Sequence, residues 1–100
     1  MNIEQIVKDK TVTLRPDGWL DATNSPKLGE VIEAIESAEE IILDLEDVEY
    51  IASTGVRQIV LLYRKAQELD ATARVINARN EVYNILALTG IHKKIEIVEK

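Results

Sequence analysis

The chain has no cysteine, which removes disulfides, thiolate metal sites and thiol catalysis together. Its single histidine is His92. A metal site built on two imidazoles is therefore excluded, and a Ser-His system has one candidate base. His92 lies in the polar stretch Ile91-His92-Lys93-Lys94 and reads as a loop residue. No apolar run approaches the ~20 residues needed to span a bilayer. The opening Met1-Asn2-Ile3-Glu4-Gln5-Ile6 lacks the basic stretch and apolar centre of a secretory signal. Basic charge is in short supply: 12 Lys and Arg stand against 18 Asp and Glu, a net charge of −6. That balance disfavours nucleic acid and anionic membrane surfaces as partners. Neither a Gly-x-x-x-x-Gly-Lys phosphate loop nor a Gly-x-Gly-x-x-Gly fingerprint occurs.

What remains is an ordinary globular mixture, 46% apolar and 30% charged over 100 residues. It is expected to form one soluble, cytoplasmic domain over residues 1–100 that buries roughly 60–70% of its unfolded surface. Only two prolines and four glycines occur, each where an element should begin or end. Thr11 to Arg15 alternates with period two and reads as a half-buried strand, with Ile3 to Val7 a weaker strand before it. Pro16-Asp17-Gly18 is a turn signal. Ser25-Pro26 looks like a helix start, with Ser25 as the cap and Leu28, Val31, Ile32 and Ile35 forming one stripe. The short apolar run Ile41 to Leu45 suggests a strand covered on both faces, and Val48 to Ile51 extends it or forms a second. A helix follows over about 54 to 69, its wide apolar arc placing it deep. Ala73 to Ile76 is the next strand, and a third helix starts near Asn80 as cap. Gly90 stands where a helix C-terminus takes a left-handed residue. Lys94 to Val98 closes the chain as a strand with Ile95 and Ile97 on one face.

The order β-β-α-β-α-β-α-β argues for an α/β sandwich with a mostly parallel central sheet, its mixed edge made by the first two strands. Nine acidic residues lie between Glu30 and Glu49 with no Lys or Arg among them. Glu33, Glu36 and Glu40 read as the solvated polar face of the first helix rather than a metal site. Trp19 and the sheet edges are open between core and contact surface, so a monomer or a weak dimer is expected.

The corner Ile51-Ala52-Ser53-Thr54-Gly55 joins an apolar strand to a helix. It is no nucleophile elbow, because Ile51 stands where that turn needs glycine. Two readings fit it. In one, Ser53 caps the helix and Gly55 permits close approach in the first turn. In the other, a hydroxyl exposed at the helix N-terminus accepts a phosphoryl group, which the positive helix end favours. Arg57, four residues on, is then within reach of that phosphate.

The element order, Gly18-Trp19-Leu20-Asp21 before the first helix, Leu43-Asp44-Leu45 in the central strand and Ser53-Thr54-Gly55 opening the second helix resemble the STAS domain family. The resemblance covers nearly the whole chain and implies a STAS-like sandwich. In stand-alone bacterial members of that family, the residue matching Ser53 is phosphorylated by an anti-sigma factor that is also a serine kinase. The unphosphorylated form binds that kinase and frees the sigma factor, and a serine phosphatase resets the switch. The resemblance thus implies Ser53 as phosphoacceptor, with Ala52, Thr54, Gly55, Arg57 and Asp21 in the partner-binding surface. It implies no catalytic role, no cofactor and no metal. The chain departs from the family in carrying Ala52 where Asp usually precedes the serine, and in ending soon after its last strand, so that a terminal helix is missing or very short. Ala52 supports the alternative of a constitutive interaction or scaffold module, such as a transporter-associated subunit. A small enzyme or nucleotide binder using the same helix end is the remaining rival.

Overall fold

Period-two alternation places Val12, Leu14 and Pro16 inward and leaves Thr11, Thr13 and Arg15 half-exposed in β2, Thr11–Pro16. β1, Ile3–Lys8, pairs with it antiparallel across a tight turn in which Asp9 adopts φ 57°. That left-handed conformation is one aspartate tolerates better than most residues. The computed structural model describes residues 1–100. The apolar run becomes β4, Glu40–Asp44, at the centre of a five-stranded sheet of order β1-β2-β4-β6-β7. β6 is Thr72–Ala78 and β7 is Glu96–Glu99, and every pairing except β1–β2 is parallel. β4 is closed on both faces: Ile41 and Leu43 are fully buried, and Ile42 and Asp44 keep only 9% and 2% of their surface. The expected α/β sandwich with a mixed edge is the fold observed.

Two strands add to the expected order. β3, Gly18–Leu20, and β5, Val48–Ile51, pair in parallel as a separate two-stranded sheet. Three residues are too few for β3 to show a period. β5 is a strand of its own because the chain turns after β4, where the Asp44 side chain accepts the Glu46 N–H and the Leu45 carbonyl accepts the Val48 N–H.

The helices are α1, Ser25–Glu33, α2, Ser53–Glu68, and α3, Asn80–Thr89, followed by a 3-10 turn at Ile91–Lys93. Four expectations need correction. Ser25 is the first helical residue rather than the cap of α1, and its hydroxyl is buried. Asn80 likewise lies inside α3, whose cap position is Arg79; its amide donates to Glu99 and accepts from Asn84. The acidic stripe is not one helix face, because α1 ends at Glu33 and Glu40 already belongs to β4. Finally, α2 lies at the surface rather than deep. It buries Gly55, Ile59, Leu62, Lys65 and Ala66 and leaves Val56, Val60 and Leu61 half-exposed. The buried Lys65 spans to α1, where its ammonium donates to the Glu33 carbonyl at 3.0 Å and so answers the negative end of that helix. Gly90 has the expected left-handed φ of 78°, and Ile95 and Ile97 both turn toward the core.

No helix is long and apolar enough to cross a membrane.

Candidate functional site

β3 and β5 run side by side in the same direction, so their C-terminal ends deliver the N-termini of α1 and α2 to one end of the molecule. The corner after β5 is tightly anchored. The Ala52 N–H donates to the Leu20 carbonyl at 2.9 Å, and the Ala52 carbonyl accepts from Gly55 and Val56. Ala52 occupies the cap position with extended backbone, φ −99° and ψ 176°, and no side chain caps the helix. Ser53 is therefore not the cap; it is the first helical residue and is exposed. The leading N–H groups of a helix have no intrahelical acceptor, so α2 presents uncapped donors beside an exposed hydroxyl.

Gly55 fixes the corner against the core. A Cβ there would lie 2.7 Å from Ile51 Cγ1, 2.8 Å from the Leu20 carbonyl oxygen and 2.9 Å from Leu20 Cβ. The first turn of α2 thus rests directly on the ends of both short strands. The Thr54 hydroxyl is turned inward and buried without a hydrogen-bond partner.

Beyond Ser53, one face of α2 forms an open groove of about 640 Å3 lined by Ser53, Val56, Arg57, Gln58, Val60, Leu61 and Arg64. Helical spacing puts Ser53 and Arg57 one turn apart on that face. Both arginines are exposed, and neither makes an ion pair within 4.0 Å. In a chain of net charge −6, this is a basic and apolar strip on an acidic protein.

The neighbouring corner, after β3, is arranged differently. Asp21 folds back, and its Oδ1 accepts the Thr23 and Asn24 N–H groups at 3.1 and 2.9 Å. The Asp21 carboxylate thus shapes the entry to α1, half-exposed beside the Ser53 corner.

Sequence reasoning missed one network. Asp44, read from the sequence as part of the acidic run and of the Leu43-Asp44-Leu45 motif but given no partner, is buried at the end of β4. Its Oδ2 accepts Arg15 Nη2 at 3.1 Å and Nε at 3.2 Å, and its Oδ1 accepts Asn77 Nδ2 at 3.1 Å. Asn77 reaches it from a left-handed position, φ 58°, where the β6–β7 register shifts. The hydrogen bond and charge of Asp44 raise the Arg15 guanidinium above its ordinary pKa, with Glu4 and Glu46 adding to the effect. An aspartate inside an apolar strand was the available signal. No group of three or more His, Cys, Asp or Glu is placed to hold a metal ion.

Residues 2–100 match the STAS domain family. The chain belongs to that family. Among curated STAS relatives, the anti-sigma-B factor antagonist of Staphylococcus aureus strain NCTC 8325 is 25% identical over 101 aligned positions, covering 99% of this chain and 94% of the relative. Among solved structures, an anti-sigma factor antagonist from Mycobacterium paratuberculosis superposes with a TM-score of 0.88 at 22% identity, covering 99% of this chain and 86% of that one. A sulfate transporter family protein from Wolinella succinogenes shares the fold with a TM-score of 0.81 at 15% identity, covering 94% of this chain and 80% of that one. The STAS fold is thus common to regulators and to proteins of transporter families.

Proposed function

We propose that this STAS domain is a cytoplasmic anti-sigma factor antagonist, a regulator and not an enzyme. Its unphosphorylated form binds an anti-sigma factor that is also a serine kinase, and so releases the sigma factor. Phosphorylation of Ser53 ends the interaction, and a serine phosphatase restores it. The observation that carries this reading is the exposed Ser53 hydroxyl at the uncapped start of α2. The full-length similarity to named antagonists supports it.

The chemistry follows from the corner. Ser53 Oγ attacks the γ-phosphorus of ATP held by the kinase, ADP leaves, and the hydroxyl proton passes to a base supplied by the kinase. The phosphate arrives with about −1.5 to −2 charges next to the free donors of α2 and within one turn of Arg57. Before modification, the groove offers Val56, Val60 and Leu61 for apolar contact and Arg57 and Arg64 for acidic groups on the partner. Afterwards the phosphate repels those acidic groups and occupies Arg57, so the same event removes an attraction and adds a repulsion.

Binding of the protein and of its Ser53→Asp variant to an anti-sigma factor kinase from the same organism tests this reading. The unmodified protein is expected to bind, and the variant at least about tenfold more weakly, a difference of about 1.4 kcal/mol. Equal affinity removes the switch, and absence of binding removes the partner.

One observation favours a second reading, a constitutive STAS interaction module. Ala52 holds the cap position of α2, where the family's usual Asp would cap the helix and add a charge beside the serine. Without that carboxylate the protein can bind its partner through the same face while escaping phosphorylation. Intact-mass measurement after incubation with the kinase and ATP separates the two.

A further inference from the structure

Trp19 and Tyr50 form an exposed aromatic pair next to the Ser53 corner. Trp19, the only tryptophan in the chain, is 54% exposed and Tyr50 is 43% exposed. Their ring centroids lie 5.2 Å apart with a tilt of 47°. The two are cross-strand partners in β3 and β5, and a register shift between Gly18 and Trp19 leaves Glu49 as an extra residue beside Tyr50, both facing solvent. Neither ring belongs to the core cluster or to the residues packed against it. Two large rings left side by side in water contribute little to the fold and much to a contact.

The chain around this pair is acidic. Asp17 precedes β3, Asp47 precedes β5, and Glu49 adjoins Tyr50. The Gly18 N–H donates to the Asp47 carbonyl at 2.9 Å, which brings the Asp17 and Asp47 turns together at the entry to the two strands. Both acids line one polar hollow with Asn2, Glu4 and Arg15. Arg15, the cation in that hollow, is already taken by Asp44 and Glu4. Asp17, Asp47 and Glu49 have no basic partner within 4.0 Å.

The Asp17 carboxylate accepts the Asn2 N–H at 2.9 Å. The geometry points to a seat for one arginine side chain of a partner protein, made of the Trp19 and Tyr50 rings with Glu49 adjoining Tyr50 and Asp47 just ahead of the same strand. Ring faces attract a cation, and a planar guanidinium stacks on a ring while its edge N–H groups reach carboxylates. Lysine offers the charge without the plane. The seat lies on the strand that leads into Ser53, and the α2 groove begins at Ser53. The two carry opposite charge, so a partner that meets both must present a basic anchor to one and acidic groups to the other. That bipolar demand fixes orientation as well as affinity. Naming the anti-sigma factor as the bearer of the arginine rests on the antagonist reading above; the seat is testable without it.

Trp19 is its own reporter. Its fluorescence is followed while the protein is titrated with a short peptide carrying one arginine, and with the same peptide carrying neutral citrulline. A saturable change with the arginine peptide alone is expected, weakened at least about fivefold in Tyr50→Ala and in Asp47→Asn/Glu49→Gln. Both variants keep the reporter and alter exposed side chains, so their thermal unfolding midpoints check that they fold. An equal response to both peptides, no response to arginine, or variants that bind as the parent does would overturn the seat. In the complex with the anti-sigma factor, Trp19→Ala is expected to weaken binding about tenfold. Parent-like affinity in that variant overturns the seat and leaves the antagonist reading standing. If the unmodified protein binds no anti-sigma factor, that reading fails, and the peptide titration decides the seat alone.

Discussion

Two strand-to-helix corners lie side by side in this protein, and they treat their polar groups in opposite ways. After β3, Asp21 turns its carboxylate onto the Thr23 and Asn24 N–H groups, and the following serine, Ser25, hides its hydroxyl in the interior. After β5, the cap position holds Ala52, no side chain answers the first N–H groups, and Ser53 faces solvent. The first corner spends its donors internally, so it fixes shape. The second keeps hydroxyl and donors available for something outside the chain. All three helices start without a side-chain cap, a stabilisation of about 1 kcal/mol forgone each time, so what sets the second corner apart is its exposed serine.

The comparison can be broken most violently at Gly55. A methyl group there meets a backbone oxygen and two side-chain carbons at under 3.0 Å, so Gly55→Ala is expected to lower stability by about 3 kcal/mol in urea unfolding. Parent-like stability would show that α2 does not rest on Leu20 and Ile51 as described. Opening the first corner comes next. Asp21→Ala strips two charge-assisted hydrogen bonds from the entry to α1 and is expected to cost about 2 kcal/mol by the same measurement.

Closing the second corner should run the other way. Ala52→Asp supplies a cap and a favourable charge at the start of α2, for a gain of about 1 kcal/mol, seen as a thermal midpoint higher by about 4–8 °C. A loss of stability would mean that the α2 donors are already satisfied. The smallest effect belongs to the residue that matters most for the proposed role. Ser53→Ala removes an exposed hydroxyl that caps nothing and should leave stability within about 0.5 kcal/mol, while abolishing phosphoryl transfer.

The same contrast explains what could be seen in the sequence. The fold was legible because its signals are periodic: Thr11 to Pro16 alternates, Ile41 to Leu45 is apolar throughout, and the helices carry stripes. Cap residues were less legible. Ser25 and Asn80 have the chemistry of caps, but Asp21 takes the role ahead of α1 through a turn three residues long, and Asn80 is drawn into α3 and bonds Glu99 across the fold. Tertiary partners decide such positions, and spacing alone does not show them. The depth of α2 was misjudged for a related reason: Val56, Val60 and Leu61 widen its apolar arc by packing partly against the core and partly along an open groove. Apolar residues there serve core and surface at once, and a sequence does not distinguish a face fully sealed by the core from one left half open. The Arg15–Asp44–Asn77 network was equally hidden, since it joins three strands separated by about thirty residues each.

The most direct test of the account is the intact mass of the protein after incubation with an anti-sigma factor kinase of its own organism and ATP, followed by fragment mapping. The account predicts one added phosphoryl group, on Ser53, and none on the Ser53→Ala variant. An unchanged mass, or a phosphoryl group that persists in Ser53→Ala, would contradict it.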